Sequence, residues 1–233
     1  MSAATTGRTH LVLVGATGMV DGYALRHALE HPAVERETAI VRRTLGISHT
    51  KFNEILHPNF GDCSALAEPL SRQDAAIFCP GAYTGSVPDT DLRTITVDYT
   101  VEFARVLHTS GPGAEFVFLS GRGADPTGKS RVAFARYKGE AENALLAAGF
   151  HAVYIFRPAY IYPVEPRRSP TSATGCCARS IPYFGSPSQV IRADDLARVM
   201  VDVAVCRTKE RRASAFENND IRAMAKWIQH LTK

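Results

Sequence analysis

The stretch LVLVGATGMVDG, residues 11–22, decides the fold that this sequence predicts. An apolar run leads into a glycine-rich turn and the turn into a helical pattern, which is the context that a dinucleotide-binding fingerprint needs. Gly15 allows a tight turn, Gly18 lets the backbone approach a pyrophosphate, and the helix N-terminus supplies N–H groups and a positive dipole. The alternative is a structural turn that binds no ligand. The predicted pyrophosphate site comprises Gly15, Thr17, Gly18, Met19 and Val20.

An aspartate, Asp21, stands where the fingerprint has its third glycine. That glycine permits close packing of the helix against the strand, so the side chain of Asp21 is expected to push the helix outward or to turn toward solvent. A carboxylate roughly 5–7 Å from a phosphate repels each phosphate charge by about 2–3 kcal/mol at an effective dielectric constant near 20. We therefore expect Asp21 to lower the affinity for a dinucleotide by about one to two orders of magnitude.

Short apolar runs alternate with helical patterns along most of the chain. Runs that are almost continuously apolar are typical of strands in a parallel sheet that is covered on both faces. The alternation predicts an α/β fold with a doubly wound parallel sheet, a Rossmann fold with right-handed crossovers. Strands are predicted at 10–15, 38–42, 74–81, 115–121, 151–158 and 213–217, and helices at 19–31, 63–71, 91–110, 131–148, 194–206 and 219–231.

The chain length of 233 residues favours a single domain, 1–233, with a small C-terminal portion. Before that portion, residues 158–190 are rich in proline and serine and are too many for an ordinary connection. We expect this loop to form the substrate side of the site.

Composition and charge disfavour several classes of protein. The formal net charge of +4 comes from scattered pairs of basic residues, and no zinc-finger spacing or helix-turn-helix pattern is found, so nucleic-acid binding is disfavoured. The five cysteines are odd in number and lack C-x-x-C spacing, so neither a disulfide framework nor a metal site is predicted. The N-terminus lacks a signal-peptide core, and no apolar run reaches the roughly 18–20 residues of a membrane span. We therefore expect a soluble, cytoplasmic protein.

The ends of the predicted strands indicate which nucleotide is bound. The second strand ends in Arg42 and Arg43; an acidic residue there binds the ribose of NAD, whereas arginine suits the 2′-phosphate of NADP. NADP(H) is therefore predicted in preference to NAD(H). Asp62, in the turn FGDC, is placed to reach the adenine, and Cys79 and Gly81 follow a strand on the same edge of the sheet. Exposed loop arginines and plain turns between strand and helix are the alternatives for these residues.

Seven motifs extend over nearly the whole chain: GATG (15–18), VRR (41–43), GD (61–62), FVFLSGRGAD (116–125), KGEAENALLAAGF (138–150), IFRPAYIYP (155–163) and IRADDLARVM (191–200). Through them the chain resembles the short-chain dehydrogenase/reductase superfamily. Specifically, it is similar to the small atypical members of the extended branch, NAD(P)H-binding proteins that are called epimerase/dehydratase-like or NmrA-like. The resemblance implies a Rossmann fold and a nicotinamide dinucleotide as cofactor.

The resemblance also implies catalytic residues, from which this chain departs. Active relatives carry a Ser or Thr after the fifth strand and a Tyr-x-x-x-Lys pair on the next helix, where the lysine lowers the tyrosine pKa and holds the ribose. Ser120 and Lys138 match this pattern, but Phe134 stands at the tyrosine position and has no proton to give. Tyr137 is the candidate replacement, although neighbouring helix residues point about 100° apart. Arg157 is expected at the nicotinamide end, with a salt bridge to a loop carboxylate as the alternative.

Three functional hypotheses follow. The first is an NADP(H)-binding protein without conventional tyrosine-dependent chemistry, which acts as a cofactor-responsive regulatory or partner-binding protein. The alternative is an NADPH-dependent oxidoreductase or epimerase/dehydratase that acts on a small carbonyl or sugar-like substrate, with Ser120, a water or Tyr137 in place of the lost phenol. The third is a scaffold that has lost nucleotide binding. Homodimerisation through helices 91–110 and 131–148, which pair in some relatives, is left open by the sequence.

Overall fold

The computed structural model describes residues 8–82, 87–164, 189–207 and 212–231, in which strands and helices alternate. The strands are β1 (Thr9–Val14), β2 (Val34–Val41), β3 (Phe52–Leu56), β4 (Ala75–Phe78), β5 (Glu115–Leu119), β6 (Ala152–Arg157), β7 (Tyr160–Tyr162), β8 (Val190–Arg192) and β9 (Arg212–Glu217). The helices are α1 (Met19–Glu30), α2 (Ala67–Leu70), α3 (Asp89–Arg93), α4 (Tyr99–Ser110), α5 (Ala133–Ala147), α6 (Ala193–Val205) and α7 (Asn218–Leu231). A 3-10 turn, Ser64–Leu66, precedes α2, and a π-helical turn, Thr94–Asp98, joins α3 to α4.

Seven strands form one parallel sheet in the order β3-β2-β1-β4-β5-β6-β9. β1 is buried on both faces because its side chains are apolar on both: Leu11 and Leu13 enter one core, and Val12 and Val14 enter the other. From β1 the chain moves outward to β2 and β3 and then returns to β4 on the opposite side of β1. Open α/β sheets bind ligands at such a switch point, outside the carboxyl ends of the strands.

Helices cover both faces of the sheet. The first core is closed by α1, α6 and α7, which contribute Leu25, Leu196 and Ile221, among others. The second core is closed by α4 and α5, which contribute Phe103 and Leu145. The α/β Rossmann fold with a doubly wound parallel sheet, predicted from the sequence, is thereby confirmed.

Two features of the sheets were not predicted. β3 is an edge strand that pairs only with β2, and its Asn53 and Leu56 are exposed, so its residues are not apolar enough to be recognised as a buried strand. β7 and β8 pair with each other in a small parallel sheet at the two ends of the predicted loop 158–190. Residues 165–188 of that loop lie outside the described residues, so its assignment to the substrate side stays a prediction.

Candidate functional site

A cleft opens at the switch point, beyond the carboxyl ends of β1, β2 and β4. The rings of Phe60 and Tyr99, with centroids 6.1 Å apart, give it an apolar wall. Arg42 supplies the only basic side chain among the described residues of its lining. The lining comprises Gly15, Ala16, Thr17, Ile40, Val41, Arg42, Phe60, Pro80, Gly81, Ile95 and Tyr99.

The glycine turn between β1 and α1 has the geometry of a phosphate-binding turn. Gly15 has a φ of 105°, and the N–H of Gly18 donates to the Gly15 carbonyl at 2.8 Å. Met19 begins α1, and no side-chain hydrogen bond caps the helix at Gly18. Val20 is buried in the core, so only its backbone is available to a ligand. The turn therefore fits the pyrophosphate of a dinucleotide.

Asp21 neither displaces α1 nor turns toward solvent, which corrects the expectation from the sequence. α1 packs on β1 and β2, and the Asp21 side chain is only 5% exposed because it folds back against the glycine turn. A Cβ atom on Gly15 would lie 2.9 Å from Oδ2 of Asp21, and one on Gly18 would overlap the same oxygen. The carboxylate itself therefore requires glycine at both positions.

Cys79, which follows β4, and Lys138, on α5, are also buried. Burial, followed by the charge of the Asp21 carboxylate, raises the pKa of the Cys79 thiol well above its usual range. The Nζ of Lys138 donates to the Leu119 carbonyl at 2.8 Å. Burial lowers the pKa of Lys138 to about 8, against the opposing effect of nearby carboxylates. A Cβ atom on Gly81, which lines the cleft, would lie 4.0 Å from Nζ, so the amine lies close to the cleft.

Ser120 and Arg157 bind one buried carboxylate, that of Glu142, which is 1% exposed. The Ser120 hydroxyl donates to Oε1 of Glu142. Arg157 binds the same carboxylate through Nε at 3.0 Å and Nη2 at 2.5 Å, and it reaches Glu217 through Nη1 at 3.0 Å. The assignment of both residues to the reaction site stays a prediction. Arg157 makes the salt bridge that was the alternative, although its partners lie on α5 and β9 and not on a loop.

Phe134 and Tyr137 point in different directions from α5. A Cβ atom on Gly121 would lie 2.7 Å from Cζ of Phe134, so the ring packs directly on the backbone just after β5. The Tyr137 hydroxyl donates to Oδ2 of Asp89 at 2.6 Å, and this hydrogen bond raises the pKa of Tyr137. The phenol is therefore bound at the start of α3, and the assignment of Tyr137 as the replacement acid stays a prediction.

The two arginines after β2 differ in position. Arg42 lines the cleft, whereas Arg43 is not part of the lining. Both side chains are exposed, and neither forms an ion pair or side-chain hydrogen bond within the described part of the chain. Asp62 is also outside the lining: its carboxylate accepts a hydrogen bond from the Ser64 N–H at 2.9 Å, which lowers its pKa. Of the three residues, only Arg42 lies at the cleft, and the assignment of Arg43 and Asp62 to the nucleotide stays a prediction.

Sequence reasoning missed Glu142 and the apolar wall of the cleft. Glu142 lies four residues after Lys138 and so on the same face of α5, a spacing that could have identified it. Phe60 and Tyr99 carried no comparable signal, because an apolar residue in a turn or on a helix is equally expected in a core.

Two further searches cover only the described ranges. There, no helix combines the length and the apolar character that crossing a bilayer requires. Nor do these residues bring together three or more His, Cys, Asp or Glu side chains in a group able to hold a metal ion.

No model of a known protein family matches the chain. The chain is 28% identical over 170 residues to "Protein fmp52-1, mitochondrial" of Aspergillus oryzae, and the aligned region covers 71% of each protein. It is 27% identical over 150 residues to "Protein FMP52, mitochondrial" of Saccharomyces cerevisiae, and that aligned region covers 63% of each protein. Because these relatives are named mitochondrial proteins, the cytoplasmic location expected from the sequence is wrong.

Solved structures with the same fold are enzymes and nucleotide complexes. Gre2 of Candida albicans, in complex with NADPH, superposes with a TM-score of 0.68 and 14% sequence identity; the match covers 89% of this chain and 78% of Gre2. WbmH of Bordetella bronchiseptica, in complex with NAD+, has a TM-score of 0.63 and 13% identity, and the match covers 89% of this chain and 75% of WbmH. UDP-N-acetylglucosamine 4-epimerase of Bacillus cereus has a TM-score of 0.63 and 11% identity, and the match covers 90% of this chain and 77% of the epimerase. The chain therefore shares the Rossmann fold of these solved structures.

Proposed function

We propose that this protein binds NADP(H) in the cleft at the switch point and acts as a cofactor-responsive regulatory or partner-binding protein without tyrosine-dependent chemistry. The observation that carries the proposal is that the glycine turn and Arg42 line the same cleft. The turn and the N-terminus of α1 suit the pyrophosphate, and the guanidinium of Arg42 suits the 2′-phosphate. Phe60 and Tyr99 provide an apolar wall for the adenine.

The absence of tyrosine-dependent chemistry is supported by the side chains near Lys138. A bound NADP(H) would supply hydride transfer, but reduction of a carbonyl also needs a proton donor at the substrate oxygen. Phe134 has no proton to give, and the phenol of Tyr137 is bound to Asp89. The hydroxyl of Ser120 is bound to a buried carboxylate.

The experiment that tests the proposal is calorimetric titration with NADP+ and with NAD+ at fixed ionic strength. We expect NADP+ to bind at least about ten-fold more tightly, because a guanidinium–phosphate contact is a strong charge-assisted pair. Arg42→Ala should remove most of this preference and leave NAD+ affinity unchanged. Arg43→Ala is the matched control, since the neighbouring arginine is equally exposed but is not part of the lining. Absence of binding by both nucleotides, or equal effects of the two variants, would contradict the proposal.

The second candidate function is an NADPH-dependent oxidoreductase or epimerase/dehydratase acting on a small carbonyl or sugar-like substrate. It is favoured by Lys138, whose amine lies next to Gly81 at the cleft and has a pKa lowered to about 8. The test is NADPH oxidation with a panel of carbonyl compounds, for the wild type and for Phe134→Tyr. Saturable turnover by the wild type would favour this function over the first. Turnover that arises only in the variant would mean that the substrate pocket persists without its acid.

The location that we propose is mitochondrial, and it rests on the names of the fungal relatives. Fractionation of cells that express the full chain tests it. Recovery outside the mitochondrial fraction would contradict the proposal without affecting nucleotide binding.

A further inference from the structure

The order of the strands sets the direction in which a dinucleotide would lie. The glycine turn after β1 suits the pyrophosphate, and Arg42, which suits the 2′-phosphate, follows β2 on one side of that turn. The other half of the ligand would then extend to the opposite side of β1, past Pro80 and Gly81 and toward the ends of β5 and β6. The residues at those two strand ends decide whether the protein contacts the nicotinamide ring.

The polar side chains that follow β5 and end β6 are already bound within the protein. The Ser120 hydroxyl donates to the carboxylate of Glu142, which is buried. Arg157 binds the same carboxylate through Nε at 3.0 Å and reaches Glu217 through Nη1 at 3.0 Å. Either side chain could bind the carboxamide of a nicotinamide only by leaving a buried charge less well paired, which is costly.

The amine of Lys138 is buried beside the cleft. The residue is 4% exposed, and its Nζ donates to the Leu119 carbonyl at 2.8 Å. The same atom lies 4.7 Å from the centroid of the Phe118 ring, whose face favours a cation. A further bond from this amine to a ribose hydroxyl would involve a part of the ligand that NADP+ and NADPH share. Lys138 therefore gives no basis for distinguishing the two forms.

The ring of Phe134 covers the backbone just after β5. A Cβ atom on Gly121 would lie 2.7 Å from Cζ and 3.1 Å from Cε1 of that ring. Gly121 is buried although it has no side chain of its own. The Phe134 ring thus occupies the space that a nicotinamide ring would need in order to pack against this end of the sheet.

We propose that the protein recognises the phosphorylated adenosine half of NADP(H) and gains no affinity from the nicotinamide ring, so that it binds the oxidised and the reduced nucleotide equally. The inference rests on the proposed function and deepens it: the protein responds to the total amount of NADP(H) and not to the ratio of NADP+ to NADPH. A protein distinguishes two ligands only through contacts with the part in which they differ, and here that part is the nicotinamide ring.

Calorimetric titration at fixed ionic strength with three ligands tests the inference. The ligands are NADP+, NADPH and 2′-phospho-ADP-ribose, which retains every part of the nucleotide except the nicotinamide ring. We expect the three dissociation constants to agree within about five-fold. A larger difference between NADP+ and NADPH would overturn the inference, and so would a loss of affinity beyond that factor for 2′-phospho-ADP-ribose.

Phe134→Ala separates a ring that covers the backbone from a ring that stacks on the ligand. We expect the variant to bind NADP+ at least as tightly as the wild type, because the phenyl group packs on Gly121. Phe134→Leu is the second variant, since it keeps apolar packing on Gly121 and removes only the aromatic face. Tyr137→Ala is the matched control on the same helix, and it should change no affinity because its phenol is bonded to Asp89. Weaker binding of NADP+ by both Phe134 variants, without a change for 2′-phospho-ADP-ribose, would overturn the inference.

The inference and the proposed function fail in different ways. If none of the three ligands binds, the proposed function is refuted and the inference with it. If NADP+ and NADPH bind with affinities that differ by more than the stated factor, nucleotide binding stands and only the inference is overturned. Equal binding of all three ligands supports both.

Discussion

Two halves of the same sheet edge differ in how their polar groups are used. In the half to which the proposed function assigns the nucleotide (the nucleotide half), at the ends of β1, β2 and β4, Thr17 and Arg42 are exposed at the cleft. In the other half, at the ends of β5 and β6, Ser120 and Arg157 bind the buried carboxylate of Glu142. The ring of Phe134 packs on the backbone of Gly121 in this second half.

The difference is one of exposure and pairing. The polar side chains at the cleft are open to a ligand, whereas Ser120 and Arg157 are paired with a buried carboxylate. Changes to the second half should therefore affect stability first, and changes to the first half should affect affinity.

Breaking the buried pair of the second half should have the largest effect. Glu142→Gln leaves Arg157 with only Glu217, which is half exposed, and we expect a loss of about 3 kcal/mol in the free energy of unfolding. Urea denaturation measures it. Glu140→Gln is the control on the same helix, because its pair with Arg93 is exposed and should be worth less than about 1 kcal/mol. Equal losses would mean that the Glu142 pair does not hold this half together.

A second buried glutamate, which lies outside both halves, sharpens the comparison. Glu37 on β2 is fully buried, and neither of its carboxylate oxygens has a hydrogen-bond partner within the described residues. Burial raises its pKa well above 4.5, so the fold favours the protonated form. The stability that this group contributes is complete below pH 4.5 and falls as the pH rises, by up to about 1.4 kcal/mol per pH unit, until the folded pKa is reached.

Glu37→Gln removes this titration, so the variant should have a larger free energy of unfolding than the wild type at pH 7. The difference between the two proteins should increase from pH 5 to pH 7. Urea denaturation at a series of pH values measures the difference. The same substitution thus has opposite signs at positions 37 and 142, because only the second carboxylate has partners. If the free energy of unfolding depends on pH in the same way in the variant and in the wild type, the Glu37 carboxyl does not have the raised pKa that burial without a hydrogen-bond partner predicts.

The sequence indicated which residues form the glycine turn and the cleft better than it indicated the contacts of the second half. Gly15, Gly18 and Arg42 depend on local backbone geometry and on their place at strand ends, which a sequence pattern records. The pairing of Ser120 and Arg157 with Glu142 depends on the distance between β5, β6 and α5, which no single segment encodes. For the same reason the direction of the Asp21 side chain could not be read from its position in the motif.

Most buried strands were recognised from the sequence. β1, β4, β5 and β6 are apolar on both faces and were predicted, whereas the edge strand β3 was not. The strand β9 at the other edge was predicted although it is largely exposed. The π-helical turn between α3 and α4 also carried no signal, although Ile95 within it lines the cleft.

The contact between Phe134 and Gly121 offers a smaller perturbation of the second half. Gly121→Ala places a methyl group where the Phe134 ring already lies, and we expect a loss of about 2 kcal/mol in the free energy of unfolding. Phe134→Leu in the same chain should recover part of it. Gly113→Ala is the control, since a Cβ atom there meets nothing within 4 Å and the backbone has no positive φ. Equal losses for the two glycine variants would show that the ring is not packed on Gly121.

The smallest expected effect belongs to the nucleotide half. Asp21→Gly removes a carboxylate beside the glycine turn, so we expect NADP+ to bind about ten-fold more tightly, which is about 1.4 kcal/mol. Calorimetry measures the gain, with Glu68→Gln as the control, since that carboxylate is exposed and is not part of the cleft lining. No gain would mean that the buried charge is screened from the cofactor.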